Sequence, residues 1–264
     1  MIKKCLYQPV DGIISKKISN IKNVQPYNGL AGIYDTVMDH VDYSAWADYI
    51  SMIFKKYGSL VCNVVDCGCG TGSLMQKLEK LGYFVAGFDC SFNMVKKAQL
   101  KAEGMLWQGN LKSLALKKQW DAVICMYDTI QYLNEDEIKI YIHQIQRILH
   151  TGGLFVFDIA TKKNIKKYWF DFSNKENING WEVKRRSCFD EQKEQLYTSF
   201  QCTDRSAQIT TREHHMQYIY DQKKYKNIVN SDTWRYIGCF HEYTFKPAHH
   251  ESERVHFVFM KEGL

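Results

Sequence analysis

An acidic residue followed by three glycines at alternate positions is the part of this sequence whose spacing most clearly predicts chemistry. Asp66, Gly68, Gly70 and Gly72 follow a mostly apolar run from Leu60 to Val65. Because glycine has no Cβ atom, the turn can be sharp and a ligand can lie directly against the backbone. The pattern predicts the first strand, turn and helix of a nucleotide-binding α/β sheet.

A second acid ends the next predicted strand. We predict a strand from Tyr83 to Phe88 that ends at Asp89, and a helix capped by Ser91 that carries Met94. An ionised carboxylate offers only hydrogen-bond acceptors, which suits the two hydroxyl donors of a ribose. Asp89 is therefore a candidate for binding ribose. The alternative is a surface acid that merely precedes a helix cap.

The spacing of these residues resembles that of a known enzyme family. D-x-G-x-G-x-G at 66–72 resembles motif I of the class I S-adenosylmethionine (SAM) methyltransferases, and Asp89-Cys90-Ser91-Phe92-Asn93-Met94 resembles that family's D-x-S-x-x-M. The dinucleotide fingerprint has the different spacing G-x-G-x-x-G. The resemblance implies SAM as cofactor and S-adenosylhomocysteine as product. It assigns to the cofactor site Asp66, Gly68, Cys69, Gly70, Gly72, Asp89, Cys90 and Met94.

Two later positions extend the resemblance and partly depart from it. Gly109-Asn110-Leu111 stands where the family commonly has G-D, whose acid accepts a hydrogen bond from the adenine amino group. The amide oxygen of Asn110 can accept that bond without the assistance of a charge, so Asn110 and Leu111 are candidates for the adenine site. Tyr127 follows the predicted strand Trp120 to Met126, at the sheet edge that lines the ligand crevice. Tyr127-Asp128-Thr129-Ile130 is not the N-P-P-Y or D-P-P-Y of base-amino methyltransferases, which disfavours methylation of nucleic-acid bases.

The segment before the glycine loop is predicted to form two helices between Tyr27 and Gly58. Its first part, Tyr27 to Asp35, is similar to the Y-x-x-(L/F)-A-x-x-Y-D helix that covers the cofactor in many small-molecule methyltransferases. The resemblance implies that Tyr27 and Tyr34 contact the cofactor. Aromatic residues on an amphipathic helix are more commonly part of a core, so the alternative is that Tyr27 and Tyr34 are core residues.

From about Phe170 the pattern changes to short alternating strands with polar turns, which predicts an antiparallel cap. We expect strands near Trp181–Asp190, Gln195–Asp204 and Ala207–Tyr220. Strand periodicity puts Glu213, His215 and Gln217 on one face of the third strand. Resembling enzymes have an E-x-H-x-Q-like stretch here, so Glu213 and His215 are candidate catalytic residues on the acceptor side. A solvated strand face is the slightly favoured alternative.

These elements together predict an α/β fold with a seven-stranded, mostly parallel, doubly wound sheet of Rossmann-like type. An N-terminal helical lid precedes the sheet, and the antiparallel β cap is inserted before the last two strands. We expect an N-terminal extension at 1–26, a SAM-binding domain formed by 27–169 and 221–264, and an acceptor-binding cap at 170–220. Residues 1–25 are expected to be poorly ordered or loosely docked.

Composition and motifs indicate the compartment in which the protein is expected and the kinds of segment and site that it is expected to lack. The chain has 264 residues, nine cysteines and a net charge of +6, and five cysteines lie in or beside predicted sheet strands. We expect reduced, mostly buried thiols and a cytoplasmic protein. No C-x-x-C pair exists, and we predict no metal site. There is no signal-peptide pattern and no run long enough to span a membrane.

The leading hypothesis is a methyltransferase that acts on nitrogen or oxygen of a small-molecule acceptor by direct in-line displacement. Residues 1–23 carry five lysines and one aspartate, so a methyltransferase for RNA or a protein that uses this basic arm is the second hypothesis. Nucleic acid is the less favoured partner because the rest of the chain is nearly neutral. A non-catalytic SAM-binding protein is the third, and the glycine spacing disfavours a dinucleotide oxidoreductase.

Overall fold

Two β-sheets organise residues 21–117, 119–229 and 231–263, the part of the chain that the computed structural model describes. The strands are β1 Ile21–Asn23, β2 Asn63–Cys67, β3 Phe84–Asp89, β4 Leu106–Gln108, β5 Trp120–Cys125, β6 Leu149–Ala160, β7 Asp171–Ile178, β8 Trp181–Asp190, β9 Gln195–Asp204, β10 Ile209–Tyr218, β11 Trp234–His241 and β12 Arg254–Lys261. The α-helices are α1 Tyr34–Val37, α2 Tyr43–Tyr57, α3 Ser73–Lys80, α4 Phe92–Ala98, α5 Glu135–Ile148, α6 Lys162–Tyr168 and α7 Gln222–Val229.

The larger sheet has seven strands in the order β11-β12-β6-β5-β2-β3-β4. The pairs from β6 to β4 are parallel, whereas β12 is antiparallel to both β6 and β11. Apolar side chains cover both faces of the central strands, in two separate clusters. The predicted seven-stranded, mostly parallel sheet with a closing hairpin is confirmed, and the carboxyl ends of its central strands lie at one edge.

Helix caps fix the helices that surround the glycine loop. The Ser91 side chain accepts a hydrogen bond from Met94 N at the start of α4, as predicted. Asn134 and Glu137 form a reciprocal capping box at the start of α5. α4 begins shortly after β3 ends, so its cap holds the Asp89 loop at the edge where a ligand binds in an open α/β sheet, whereas α5 follows β5 after the 3-10 turn Thr129–Tyr132.

The smaller sheet has five strands in the order β1-β10-β9-β8-β7. Its strands β7 to β10 are inserted before the last two strands of the larger sheet, as predicted, but with β1 the sheet has two strands more than expected. β7 was missed because its side chains are mostly exposed and polar, so it has no apolar alternation. β1 pairs parallel with β10, so residues 21–23 are docked and the expectation of a loose segment there is wrong; residues 1–20 lie outside the described residues.

The segment before α2 differs from the two predicted helices. The second helix is present as α2, with Asp42 as its N-cap. The first is replaced by a 3-10 turn at Leu30–Gly32 and the one-turn helix α1. Tyr27 itself has a φ of +64°, a left-handed conformation that interrupts a helix and turns the chain towards the sheet edge.

The cysteines were expected to be reduced and mostly buried, and this expectation is wrong for Cys188, which is disulfide-bonded. The five cysteines in or beside the sheet strands are free thiols. Cys67, Cys69 and Cys125 are buried, whereas Cys62 and Cys90 are exposed. In the part of the chain described here, no helix is both long enough and apolar enough to cross a bilayer.

Candidate functional site

The glycine loop lies at the carboxyl end of β2. The backbone N–H groups of Gly68 and Cys69 donate to the carbonyl oxygen of Phe88, at 2.8 and 3.0 Å, and this holds the loop against β3. A Cβ atom built on Gly70 would meet nothing within 4 Å. Gly70 therefore leaves open space beside the backbone, as expected of a loop on which a ligand lies.

Gly72 has a different role from the one expected. Its φ is +77°, and a Cβ atom there would come within 2.9 Å of the Ala98 Cβ. The residue therefore lets α3 pack closely against α4, and it does not line the cavity described below. Of the predicted cofactor residues, it is the one that serves helix packing.

Asp89 is fixed by the loop that it faces. One carboxylate oxygen accepts a hydrogen bond from Gly70 N at 3.0 Å, and the other accepts from Ser91 N at 2.8 Å. Burial raises the pKa of Asp89, while the two backbone N–H donors act in the opposite direction. The carboxylate is thus oriented before any ligand binds, with a lone pair left on each oxygen.

A cavity of about 450 Å³ opens between this loop and the segment that contains Tyr27. Apart from Gly72, all of the predicted cofactor residues line it. They are Tyr27, Tyr34, Asp66, Gly68, Cys69, Gly70, Asp89, Cys90, Met94, Asn110, Leu111 and Tyr127. Residues far apart in the sequence are thus brought together around one space.

Two polar groups of this cavity have environments that the sequence did not reveal. Burial, with a smaller contribution from the charge of Asp89, raises the pKa of Asp66 to about 7. The Asn110 side-chain oxygen accepts a hydrogen bond from Lys112 N at 2.9 Å. An amide oxygen has two lone pairs, so Asn110 keeps one acceptor position for an adenine amino group.

A second cavity, of about 570 Å³, lies between the smaller sheet and the larger one. It shares four tyrosines with the first cavity: Tyr27, Tyr34, Tyr127 and Tyr132. The inner face of the smaller sheet contributes the side chains of Arg185, Thr198, Phe200, His215 and Gln217. The two spaces are therefore neighbours separated by a wall of aromatic rings.

A chain of hydrogen bonds links this wall to the smaller sheet. The Tyr27 and Tyr132 hydroxyl oxygens are 2.8 Å apart, and the Tyr132 oxygen lies 2.7 Å from His215 Nδ1. His215 Nε2 lies 3.0 Å from Glu213 Oε1. Because a carboxylate can only accept, Nε2 of the neutral ring carries the proton, so Tyr132 donates to Nδ1 and Tyr27 donates to Tyr132.

The two predicted acceptor-side residues, Glu213 and His215, lie at different positions in this series of hydrogen bonds. Glu213 and His215 are 1% and 4% exposed, so the solvated-face alternative is wrong. His215 lines the second cavity, whereas Glu213 lines neither cavity. The second carboxylate oxygen of Glu213 accepts from the backbone N–H of Gly29 at 2.9 Å, which fastens the Tyr27 segment to the cap.

The segment that covers the first cavity is held on its other side as well. Asp35 at the start of α1 accepts a hydrogen bond from the Thr71 hydroxyl at 2.5 Å and forms an ion pair with Lys101, whose Nζ atom lies at 2.7 Å. The Ser91 hydroxyl donates to the Asn28 side-chain oxygen at 2.7 Å. The segment is thus bonded to the glycine loop, to the Asp89 loop and to the cap.

Backbone strain marks the end of β5. Tyr127 and Asp128 have φ values of +59° and +53°, and two successive non-glycine residues in this region are uncommon. Arg254 stabilises the turn, since its Nη2 lies 2.7 Å from Asp128 Oδ1 and it also ion-pairs with the buried Asp158. Gln217 donates to the other Asp128 oxygen at 3.0 Å.

Four residues of the two cavities were missed by the sequence analysis as site candidates. They are Asp128, Tyr132, Arg185 and Arg254. Asp128 adjoins a predicted site residue, so its position at a strand end was the available signal. The other three depend on contacts between segments that are remote in the sequence, and no local pattern distinguished them.

The first cavity fits SAM. Its glycine loop leaves space at Gly70, its fixed carboxylate at Asp89 offers acceptors to the ribose diol, and its apolar walls at Met94 and Leu111 suit an adenine ring. No group of three or more potential metal ligands is found among residues 21–117, 119–229 and 231–263.

Comparisons with known proteins agree with this fit. Residues 64–153 match the family described as "Methyltransferase domain". A relative from Geobacillus sp. (strain WCH70), named for a predicted methyltransferase activity, is 30% identical over 246 residues, which cover 89% of this chain and 99% of the relative. YqeM of Bacillus subtilis (strain 168), named for the same predicted activity, is 29% identical over 152 residues, 55% of this chain and 60% of the relative.

Solved structures share the fold. A SAM-dependent methyltransferase from Clostridium acetobutylicum superposes with a TM-score of 0.78 at 21% identity, covering 90% of this chain and 99% of that one. The sugar N-methyltransferase KedS8 from Streptoalloteichus sp. gives 0.71 at 17% identity, covering 96% and 98%. With the Geobacillus relative matched over nearly its whole length, the chain belongs to the class I SAM-dependent methyltransferases.

Proposed function

We propose that the chain methylates a nitrogen or oxygen atom of a small molecule bound in the second cavity. The single observation that carries this proposal is the wall of four tyrosines shared by the two cavities: Tyr27, Tyr34, Tyr127 and Tyr132. An acceptor in the second cavity would lie directly beside a cofactor in the first. A bound SAM would supply an activated methyl group for direct in-line displacement by the acceptor atom, with S-adenosylhomocysteine as the product.

On this proposal the protein's first contribution is alignment. The Tyr27 segment is held by Glu213, Asp35 and Ser91, so the shared wall is built before the substrates bind. Holding reactants in a productive geometry can account for roughly 7–11 kcal/mol of a barrier. The cap at 170–220 would select the acceptor, while 27–169 and 221–264 would bind the cofactor.

The second contribution is removal of a proton from the acceptor. We propose that His215 receives it through Tyr27 and Tyr132. Burial raises the pKa of both hydroxyls well above their usual value, so both remain protonated and pass a proton only in concert along the chain of hydrogen bonds. The Tyr27 oxygen has lone pairs to accept an N–H or O–H of the acceptor. Glu213 would act as a positioning residue that holds the tautomer of His215.

The small size of the proposed acceptor is supported by the geometry of the second cavity and by the solved relatives. The space is about 570 Å³, which is in the range of small-molecule sites. KedS8 is described as a sugar N-methyltransferase, and fold likeness at that level of identity supports an analogy for the acceptor of this chain.

The test is transfer of labelled methyl from SAM to parallel sets of acceptors: small amines and aminosugars, bulk RNA, and bulk protein. We expect transfer to a small molecule, reduced by Tyr132→Phe and unaffected by Tyr83→Phe. The Tyr83 hydroxyl is hydrogen-bonded to Ser51 at 2.8 Å and lies outside both cavities, so that variant is a matched loss of one partly buried hydroxyl. Transfer to RNA or protein alone would refute the proposal.

A further inference from the structure

The second cavity contains a cation that the proposed reaction does not use. Arg185 lies on β8, on the inner face of the smaller sheet, opposite Phe200 of β9. Its guanidinium carbon is 3.6 Å from the centre of the Trp169 ring and 5.1 Å from that of Phe200. The rings cover the faces of the guanidinium plane, which is a favourable cation–π arrangement.

The N–H groups at the edge of the guanidinium plane have no hydrogen-bond partner among the described residues. Among the residues that the structure describes, no side chain or carbonyl group hydrogen-bonds or ion-pairs with the Arg185 guanidinium, and its Nε atom is buried without a partner. A guanidinium carries five N–H donors in its plane, which ring stacking leaves unsatisfied. A half-buried cation with unused donors costs free energy unless something in the cavity binds it.

The nearest candidates for an internal counter-ion are already engaged. Asp128 accepts from Arg254 on one oxygen and from Gln217 on the other. Glu176, which also lines the cavity, accepts from the Asn174 side chain. No carboxylate among the described residues therefore pairs directly with Arg185, and the charge of Asp128 acts on it only at longer range, so its N–H groups face the cavity unpaired.

We infer that the methyl acceptor is an anion whose carboxylate or phosphate group binds Arg185, with the atom to be methylated directed towards the tyrosine wall. The inference rests on the proposed function, because it places the acceptor in the second cavity. The planar fork of arginine fits both kinds of oxyanion in a bidentate manner. The acceptor class is thus an amine or alcohol that carries a separate acidic group, such as an amino acid or a phosphorylated aminosugar.

Anion binding tests the inference without any methyl transfer. Protein saturated with S-adenosylhomocysteine is titrated by calorimetry with orthophosphate, pyrophosphate and malonate, which separates the phosphate source from the carboxylate source. We expect one of these anions to bind the native chain, and Arg185→Met to bind it roughly 10- to 100-fold more weakly. Arg185→Lys keeps the charge without the fork and should fall between the two.

Arg186→Met is the matched control. Arg186 is the next residue of β8 and is exposed on the opposite face of the sheet, so its loss should not change anion affinity. Affinity for S-adenosylhomocysteine shows that each variant is folded. Equal anion binding by Arg185→Met and the native chain, or no binding of any of the anions by the native chain, overturns the inference.

Methyl transfer to matched acceptor pairs then separates this inference from the proposed function. The pairs are glucosamine with glucosamine 6-phosphate, ethanolamine with phosphoethanolamine, and an amino acid with its amide. Preference for the anionic member, lost in Arg185→Met, supports the inference. Preference for the neutral member overturns the inference and leaves the proposed function standing, whereas transfer only to RNA or protein overturns both.

Discussion

Replacing Asp89 by alanine tests the cofactor site at the residue on which its assignment most depends. The Asp89 carboxylate accepts from Gly70 N on one oxygen and from Ser91 N on the other. Each oxygen keeps a second lone pair, so both ribose hydroxyls of the cofactor can donate to it as well. The substitution removes the predicted ribose contacts together with two bonds that shape the loop.

The expected loss of affinity follows from those contacts. A hydrogen bond to a charged group contributes about 1.5–3 kcal/mol. Both oxygens of Asp89 already serve backbone donors, which weakens each new bond, so we take about 2–4 kcal/mol for the two ribose bonds together. Because 1.4 kcal/mol is a factor of ten, the Kd for S-adenosylhomocysteine should rise roughly 30- to 700-fold.

Asp121→Ala controls for the loss of the backbone bonds. The Asp121 carboxylate also accepts from two backbone N–H groups, those of Cys62 and Asn63, at 2.8 and 2.7 Å. It lies at the amino-terminal end of the larger sheet's strands and outside both cavities. Calorimetric titration should show native affinity for S-adenosylhomocysteine in Asp121→Ala. A folded Asp89→Ala protein that binds within about threefold of the native Kd would refute the ribose assignment.

Three further substitutions test other steps of the argument. His215→Ala should lower kcat by roughly 10²–10⁴, the usual contribution of a general base, with unchanged affinity for S-adenosylhomocysteine; native kcat would leave His215 a purely structural role. Burial raises the pKa of Asp66 from 3.8 to about 7, so the folded state binds this proton more tightly, and the contribution of Asp66 to stability should fall by up to about 4 kcal/mol as pH rises across that interval. Asp66→Asn should lack this loss in urea unfolding at both ends of the interval, and equal pH slopes would contradict the assignment. Burial and the charge of Arg254 lower the pKa of His256 from 6.5 to about 3, so the stability that neutral His256 allows is present above pH 6.5 and is lost as pH falls towards 3. His256→Leu should therefore lose less stability on acidification, measured by thermal unfolding, and an unchanged acid sensitivity would argue against it.

The sheet and the cofactor loop could be predicted because their determinants are local. A buried strand, a turn that needs glycine and a capped helix are each encoded within about ten residues of Asp66 or Asp89. For the same reason β8 and β9 were predicted with the bounds that the structure has, since each alternates and ends in a turn.

The features that could not be predicted depend on contacts between residues that are far apart in the sequence. The left-handed backbone at Tyr127 and Asp128 is stabilised by Arg254, more than a hundred residues away. Tyr132 is an ordinary aromatic residue in sequence, and only the fold places its hydroxyl between Tyr27 and His215. β1 has three residues and is paired because β10 offers it an edge, which no periodicity within three residues can indicate.

The cofactor site depends mainly on local determinants, whereas the proposed acceptor site depends on contacts between segments that are distant in the sequence. The SAM site is built mainly by the loops that follow β2, β3 and β5, so it depends on the larger sheet. The second cavity is built where the inner face of the smaller sheet meets the Tyr27 segment, and the cap contributes Arg185 and His215 to it beside Asp128 and Arg254 of the larger sheet and its loops. On the proposed function, a change in the cap would therefore alter which acceptor binds while the sheet and its loops still hold SAM. Glu213 is the exception, because it is a cap residue that fixes the segment covering the cofactor. Loss of its carboxylate should accordingly weaken both sites together, in contrast to the selective effects expected at Arg185 and Asp89.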